Sequence, residues 1–149
     1  MNGDEKNCSL KEGSPSVQTH LGIMQGVIER MGSNSTSSKA WCITLVSAIL
    51  VIVAERDKSN LALIALIPTV LFLALDTYYL SLEKGFRKSY NSFIAKLHKG
   101  QLTPEDLYAV DPEGQKSERI LESLKSFSVW GFYGAISLLI LFTMWIVLD

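Results

Sequence analysis

The chain of 149 residues holds two histidines, His20 and His98, and two cysteines, Cys8 and Cys42. Acid–base, nucleophilic or metal chemistry needs several such groups converging on one point. No HExxH, P-loop, GxGxxG or GxSxG string is present. Glu105 with Asp106, and Glu118 with Glu122, are formally carboxylate pairs. An acidic first helical turn and a solvated helix face account for them without catalysis. The two cysteines form neither a disulfide framework nor a metal spacing. We therefore expect no enzyme, no cofactor and no metal.

The residues with clearer chemical potential are basic. Lys84, Arg87, Lys88, Lys96 and Lys99 run without an intervening acid until Glu105. Phe86 and Tyr90 are interleaved with them. Cations beside aromatic rings suit phosphates and stacked bases. They equally suit a positive flank lying against anionic lipid, and composition alone favours lipid.

The elements that position these groups follow from charge gaps. Net charge is only −1 and mean hydropathy +0.21, which excludes a chain coating DNA by charge alone and a wholly disordered one. The apolar residues are concentrated. Ala40–Ala54, Ser59–Leu75 and Ser126–Leu148 carry no charge over 15, 17 and 23 residues. A bilayer core of about 30 Å needs roughly 20 mainly apolar helical residues. These runs predict spans at 36–54, 60–82 and 127–148, and an all-α membrane protein. The polar stretch 1–16 reads as a flexible lead-in with no signal-peptide pattern.

The loop at 55–60 is short enough to force an antiparallel hairpin. The basic excess after the second span places 83–125 in the cytoplasm by the positive-inside rule. The N-terminus is then cytoplasmic and the C-terminus outside. Trp130 and Trp145 bracket the third span as interfacial aromatics. In a hairpin turning near 57–58, Lys39 falls opposite Asp76. A charge pair is tolerated at a membrane edge where a lone charge is costly, so a Lys39–Asp76 contact is one expectation. Separate snorkelling into the headgroups is the other.

Residues 17–32 place Val17, Leu21, Met24, Ile28 and Met31 on one helical stripe, predicting an amphipathic helix that packs against another helix or subunit; the sharper alternative is a moving gate helix with Met24 a candidate gate residue. The run GSNSTSS at 32–38, with Asn34 in it, is expected to break the helix and cap the first span. Should the helix run through, these groups would line a wet vestibule. Pro68 predicts a kink, with Thr69 beside it as a hinge or constriction. The second span is expected to project through Leu97 on a stripe of Phe86, Tyr90, Phe93 and Leu97. Thr103–Asp106 and Asp111–Pro112 read as helix starts. Ile120, Leu121, Leu124 and Phe127 carry a stripe into the third span. The result is a small cytoplasmic helical collar at 83–125. Three spans enclose no pathway within one chain. A homo-oligomer in membrane lipid is therefore expected, with small and hydroxyl residues such as Ser47 between subunits or along a pore.

Two strings carry a resemblance. One comprises His20, Leu21, Gln25, Ile28, Arg30, Met31, Asn34, Ser35, Lys39 and Trp41; the other runs from Leu75 through Tyr90. Over residues 20–97 the chain resembles small bacterial membrane proteins, and it looks like the SLATT-type effectors of anti-phage systems, among them the effector channels of Hailong systems. The third span departs from the two-span SLATT pattern. The resemblance implies a self-associating channel of the bacterial inner membrane that depolarises the infected cell. It also implies control by a nucleotide or single-stranded DNA signal, oligodeoxyadenylate in Hailong systems, made by a partner nucleotidyltransferase. On that reading Arg30, Lys84, Arg87 and Lys88 would hold phosphates, and Phe86 and Tyr90 would stack bases. The competing readings are a holin-like or toxin pore without ligand, and a membrane anchor or assembly subunit for a partner protein.

Overall fold

A computed structural model describes residues 10–56 and 59–148. The expected turn at 57–58, Cys8 and most of the 1–16 lead-in lie outside the described residues. Among the described residues the secondary structure is entirely helical. The main elements are α1 (Pro15–Arg56), a 3₁₀ segment (Ser59–Ala65), α2 (Leu66–His98), α3 (Lys116–Leu124) and α4 (Phe127–Leu148). Three of the helices are long and apolar enough to cross a membrane.

α1 is a single helix of 42 residues, about 63 Å long at 1.5 Å per residue. The break expected at 32–38 is absent. The hydroxyls there bond back to the helix's own carbonyls instead of competing with it. Thr36 Oγ1 donates to Gly32 O at 3.1 Å and Ser38 Oγ to Asn34 O at 2.9 Å. This i−4 bonding is what lets Ser and Thr sit inside a helix. α2 has 33 residues, about 50 Å. Each helix thus exceeds a bilayer core by several turns, and the excess of both forms one paired stalk.

Pro68 stands just after the helix changes type rather than inside a long regular run. Pro68 lies in the first turn of α2, where a missing N–H breaks no helical bond. The irregularity precedes it, as seven residues of 3₁₀ helix. Ala62 and Ala65 are fully buried there. Three residues per turn stacks them on one line, and their small side chains admit α1 and α4 closely. Thr69 is buried, and its Oγ1 donates to Ala65 O at 2.7 Å.

The bundle core joins Cys42, Val46 and Val53 of α1, Ala62 and Ala65, and Val129, Tyr133 and Ile140 of α4. α4 runs antiparallel to α2, with Tyr133 Oη donating to Phe72 O at 3.0 Å. Around the bundle many outward side chains are large and apolar, among them Ile43, Ile67, Val70, Leu138 and Phe142. A second core lies in the stalk, where Val17, Met24, Phe93, Leu97 and Leu102 are buried.

Of the two helix starts expected in the 99–126 stretch, Thr103–Asp106 is one and Asp111–Pro112 is not. Thr103–Asp106 makes one 3₁₀ turn, Pro104–Asp106, and then leaves through an extended Leu107. Asp106 Oδ2 accepts from Thr103 N at 2.9 Å and Thr103 Oγ1 at 3.0 Å. α3 begins at Lys116 rather than at Pro112, after Gly114 at φ +94°. The segment is clamped to α2 at Gly85, where an added Cβ would lie 2.8 Å from Pro112 Cβ and 3.0 Å from Arg119 Cδ. The stripe expected to run into the third span turns outward: Leu121, Leu124 and Phe127 are exposed. Lys125 and Ser126 separate α3 from α4.

Candidate functional site

Two places in the α1–α2 hairpin gather polar groups. The first is at the membrane end of the stalk. Lys39 Nζ lies 2.7 Å from Asp76 Oδ2 and 2.8 Å from Oδ1, the latter in hydrogen-bonding geometry. Asp76 is fully buried, while the Lys39 side chain keeps 19% of its surface. Ser35 Oγ also donates to Asp76 Oδ1, and Lys39 Nζ lies 3.3 Å from Ser35 Oγ. Ser35 and Lys39 are one turn apart on α1, so a single helix face delivers both donors. Donors of this kind compensate a buried carboxylate for the hydration it has lost.

The same register continues up the stalk. Gly32 faces the Glu83 carboxylate, and Gln25 Nε2 donates to Tyr90 Oη at 3.2 Å. Lys39, Gly32 and Gln25 step back along α1 by seven residues while Asp76, Glu83 and Tyr90 step forward by seven. A seven-residue match of this kind is the packing of a left-handed coiled coil.

The second place is a groove of about 550 Å³ beside that register, lined by Gln25, Ile28, Glu29, Arg87, Tyr90 and Asn91. It offers two side-chain amides, a phenol, a guanidinium and a carboxylate. Arg87 is held at its rim by Glu83, with Nε 2.9 Å and the terminal nitrogen 2.8 Å from Oε1.

The structure divides the six expected anion-binding residues. Arg87 and Tyr90 share the groove. Lys84 and Lys88 project from another face of α2, because residues one helical turn apart stack together. Lys84 Nζ donates to Glu122 O at 3.1 Å, tying α2 to α3. Lys88 Nζ lies 3.8 Å from Glu113 Oε1. Their cleft is shared with Glu113, Glu118 and Glu122, so its charge is largely cancelled. Phe86 is half-buried, and Arg30 is exposed on α1.

No protein family, curated protein or solved structure matches the chain.

The expected gate residues are also spread out. Met24 is not on an open face. It is buried in the stalk core with Val17, Phe93, Leu97 and Leu102. Asn34 is half-buried and accepts from Ser38. Ser47 is exposed, Pro68 half-buried and Thr69 buried. Among the described residues no group of three or more His, Cys, Asp or Glu is placed to hold a metal ion.

Sequence reasoning missed Gln25 and Asn91 as groove residues, and Ser35 as a partner of Asp76. Seven-residue matching from the Lys39–Asp76 pair would have found Gln25 opposite Tyr90. It also missed His20, which is buried. His20 Nδ1 accepts from the Tyr108 backbone N–H at 2.9 Å, and its ring centroid lies 4.4 Å from that of Phe93. Burial lowers its pKa, and Asp106 opposes that shift.

Proposed function

We propose that the chain is the subunit of a homo-oligomeric ion channel in the bacterial inner membrane, an effector of anti-phage defence opened by a nucleotide or short oligonucleotide. The N-terminus and the stalk are cytoplasmic and the C-terminus is outside. The reading rests on one observation. One strip of the exposed surface of α1, flanked by the exposed Trp41, Ile43 and Leu45, carries Ser33, Ser37, Ala40, Thr44, Ser47 and Ala48, all exposed. They recur at helical spacing from the stalk into the apolar run. Small and hydroxyl side chains there suit close helix approach or a wetted path. The inside of the single bundle is filled by apolar side chains, so any ion path runs between copies, with α1 facing the axis.

The orientation is supported by the cations of α2, which all lie on its stalk end. The groove between Gln25 and Tyr90 supports the ligand, since amides and Tyr90 suit a base and Arg87 a phosphate. The expected signal is an oligodeoxyadenylate supplied by a partner nucleotidyltransferase.

The test is ion flux from liposomes carrying the purified protein, with and without oligodeoxyadenylate. Flux that appears with the oligonucleotide supports the reading. Flux independent of any nucleotide selects the ligand-free pore, and absence of flux in both conditions selects the anchor or assembly role.

A further inference from the structure

One contact in the stalk has the form of a pH-sensitive fastening. The 101–110 segment leaves the C-terminus of α2 at Gly100 (φ +65°) and folds back over the paired helices. Leu102 is buried in the stalk core, and Leu107 and Val110 pack against it. Two polar ties hold the segment down. Lys96 Nζ meets Asp106 Oδ1 at 2.7 Å. Two residues on, the Tyr108 N–H donates to His20 Nδ1. To reach that nitrogen Tyr108 adopts φ +64°, a left-handed conformation that a bulky residue rarely takes. Such a conformation persists only where its surroundings enforce it.

An acceptor at Nδ1 requires the ring proton at Nε2, so the ring is neutral in this arrangement. A second proton would place N–H against N–H and put a charge in a site where His20 is 1% exposed. The charged group acting on the ring is Asp106, from the 3₁₀ turn, which favours the protonated form and is itself paired with Lys96 of α2. The Tyr108 ring stands edge-on at 6.3 Å. On α1 the stalk neighbours Val17 and Met24 are apolar. At the far end of the stalk His98 Nε2 lies 3.6 Å from Glu12, both exposed.

We propose that His20 is an acid-released latch: its neutral ring holds Leu107–Val110 on the α1–α2 stalk, and protonation at Nδ1 expels that strip while the Lys96–Asp106 tie keeps Thr103–Asp106 in place. Release uncovers the apolar seat of Leu107 and Val110 on the stalk. The latch is a property of the stalk and stands apart from the channel reading.

Both signs follow from the burial. Desolvation holds the His20 pKa below its ordinary value, about 6.5. The latch is therefore complete above that pH and weakens as pH falls through the lowered value. Asp106 has its own pKa depressed, first by the hydrogen bond from Lys96 and then by the Thr103 N–H. It stays charged while His20 titrates.

Hydrogen–deuterium exchange of the full chain in lipid nanodiscs, from pH 7.5 to 5.0 and corrected for intrinsic exchange, tests the latch. The wild type is expected to lose protection at Tyr108 at least tenfold over that range, with Thr103–Asp106 unchanged. His20→Asn, whose amide oxygen replaces Nδ1 as a non-titrating acceptor, is expected to abolish the step. His98→Asn is expected to retain it. A flat wild-type profile overturns the proposal whatever the variants do. So does an undiminished step in His20→Asn, or one lost in His98→Asn.

Discussion

Lys39 Nζ touches the fully buried Asp76 carboxylate at 2.7 Å, and this pair sets the register of the whole hairpin. From it, Gly32 meets Glu83 and Gln25 meets Tyr90. Removing one partner of a buried pair leaves the other uncompensated, at a cost of about 3 kcal/mol or more. Asp76→Ala is expected to lower the thermal unfolding midpoint in detergent markedly, read by circular dichroism. Lys39→Asp with Asp76→Lys should recover most of the loss. Failure of the exchange to recover any of it contradicts the pairing account.

Gly85 lets the 111–119 stretch lie directly on α2. Gly85→Val places methyl groups where Pro112 and Arg119 now sit. Overpacking of this kind costs about 1–3 kcal/mol. The variant is expected to keep its membrane helices but release α3, seen as faster proteolysis between 112 and 126. Cleavage at the wild-type rate would show that the close approach is dispensable.

Asp106→Asn removes the carboxylate that favours a charged His20. The pH at which Tyr108 loses protection should therefore fall, not rise. The variant should also lose baseline protection at Thr103–Asp106, because the ion pair with Lys96 is gone. An upward shift of the midpoint would reverse the assigned electrostatics.

Arg87 and Tyr90 are the expected anion-site residues that share the groove. Affinity for a short oligodeoxyadenylate is expected to fall with salt, with a log–log slope of about −0.7 per phosphate contacted. Arg87→Glu should abolish binding. Lys88→Glu, on another face of α2, should weaken it far less. Equal loss in both variants would show that the split of the basic residues into two faces does not govern recognition.

Much of this architecture is legible in the sequence because charge is excluded from a bilayer core. The gaps at Ala40–Ala54, Ser59–Leu75 and Ser126–Leu148 reveal three long apolar helices, and the hairpin geometry sets Lys39 opposite Asp76. Continuity of α1 through GSNSTSS is not legible, because hydroxyl residues cap a helix or back-bond within it, and only the packed partner decides. Pro68 is ambiguous for a related reason: a proline marks either a kink or a first turn, and the 3₁₀ segment before it leaves no composition signal. The basic cluster reads as one site in the sequence because spacing along α2 does not reveal the faces that α1 and α3 occupy. His20 was invisible as a latch because its partner is a backbone N–H 88 residues away.

Thr44 and Ser47 mark the α1 face assigned to the pore, and Leu138 on α4 is exposed and assigned to lipid. The most direct test of the channel is single-channel recording of the reconstituted wild type beside Ser47→Cys and Leu138→Cys, each in a Cys8→Ser, Cys42→Ala background. A charged methanethiosulfonate reagent should cut the conductance of Ser47→Cys and leave Leu138→Cys unchanged. With oligodeoxyadenylate present throughout, absence of conductance in the wild type, or block at Leu138→Cys without block at Ser47→Cys, would contradict the α1-lined pore.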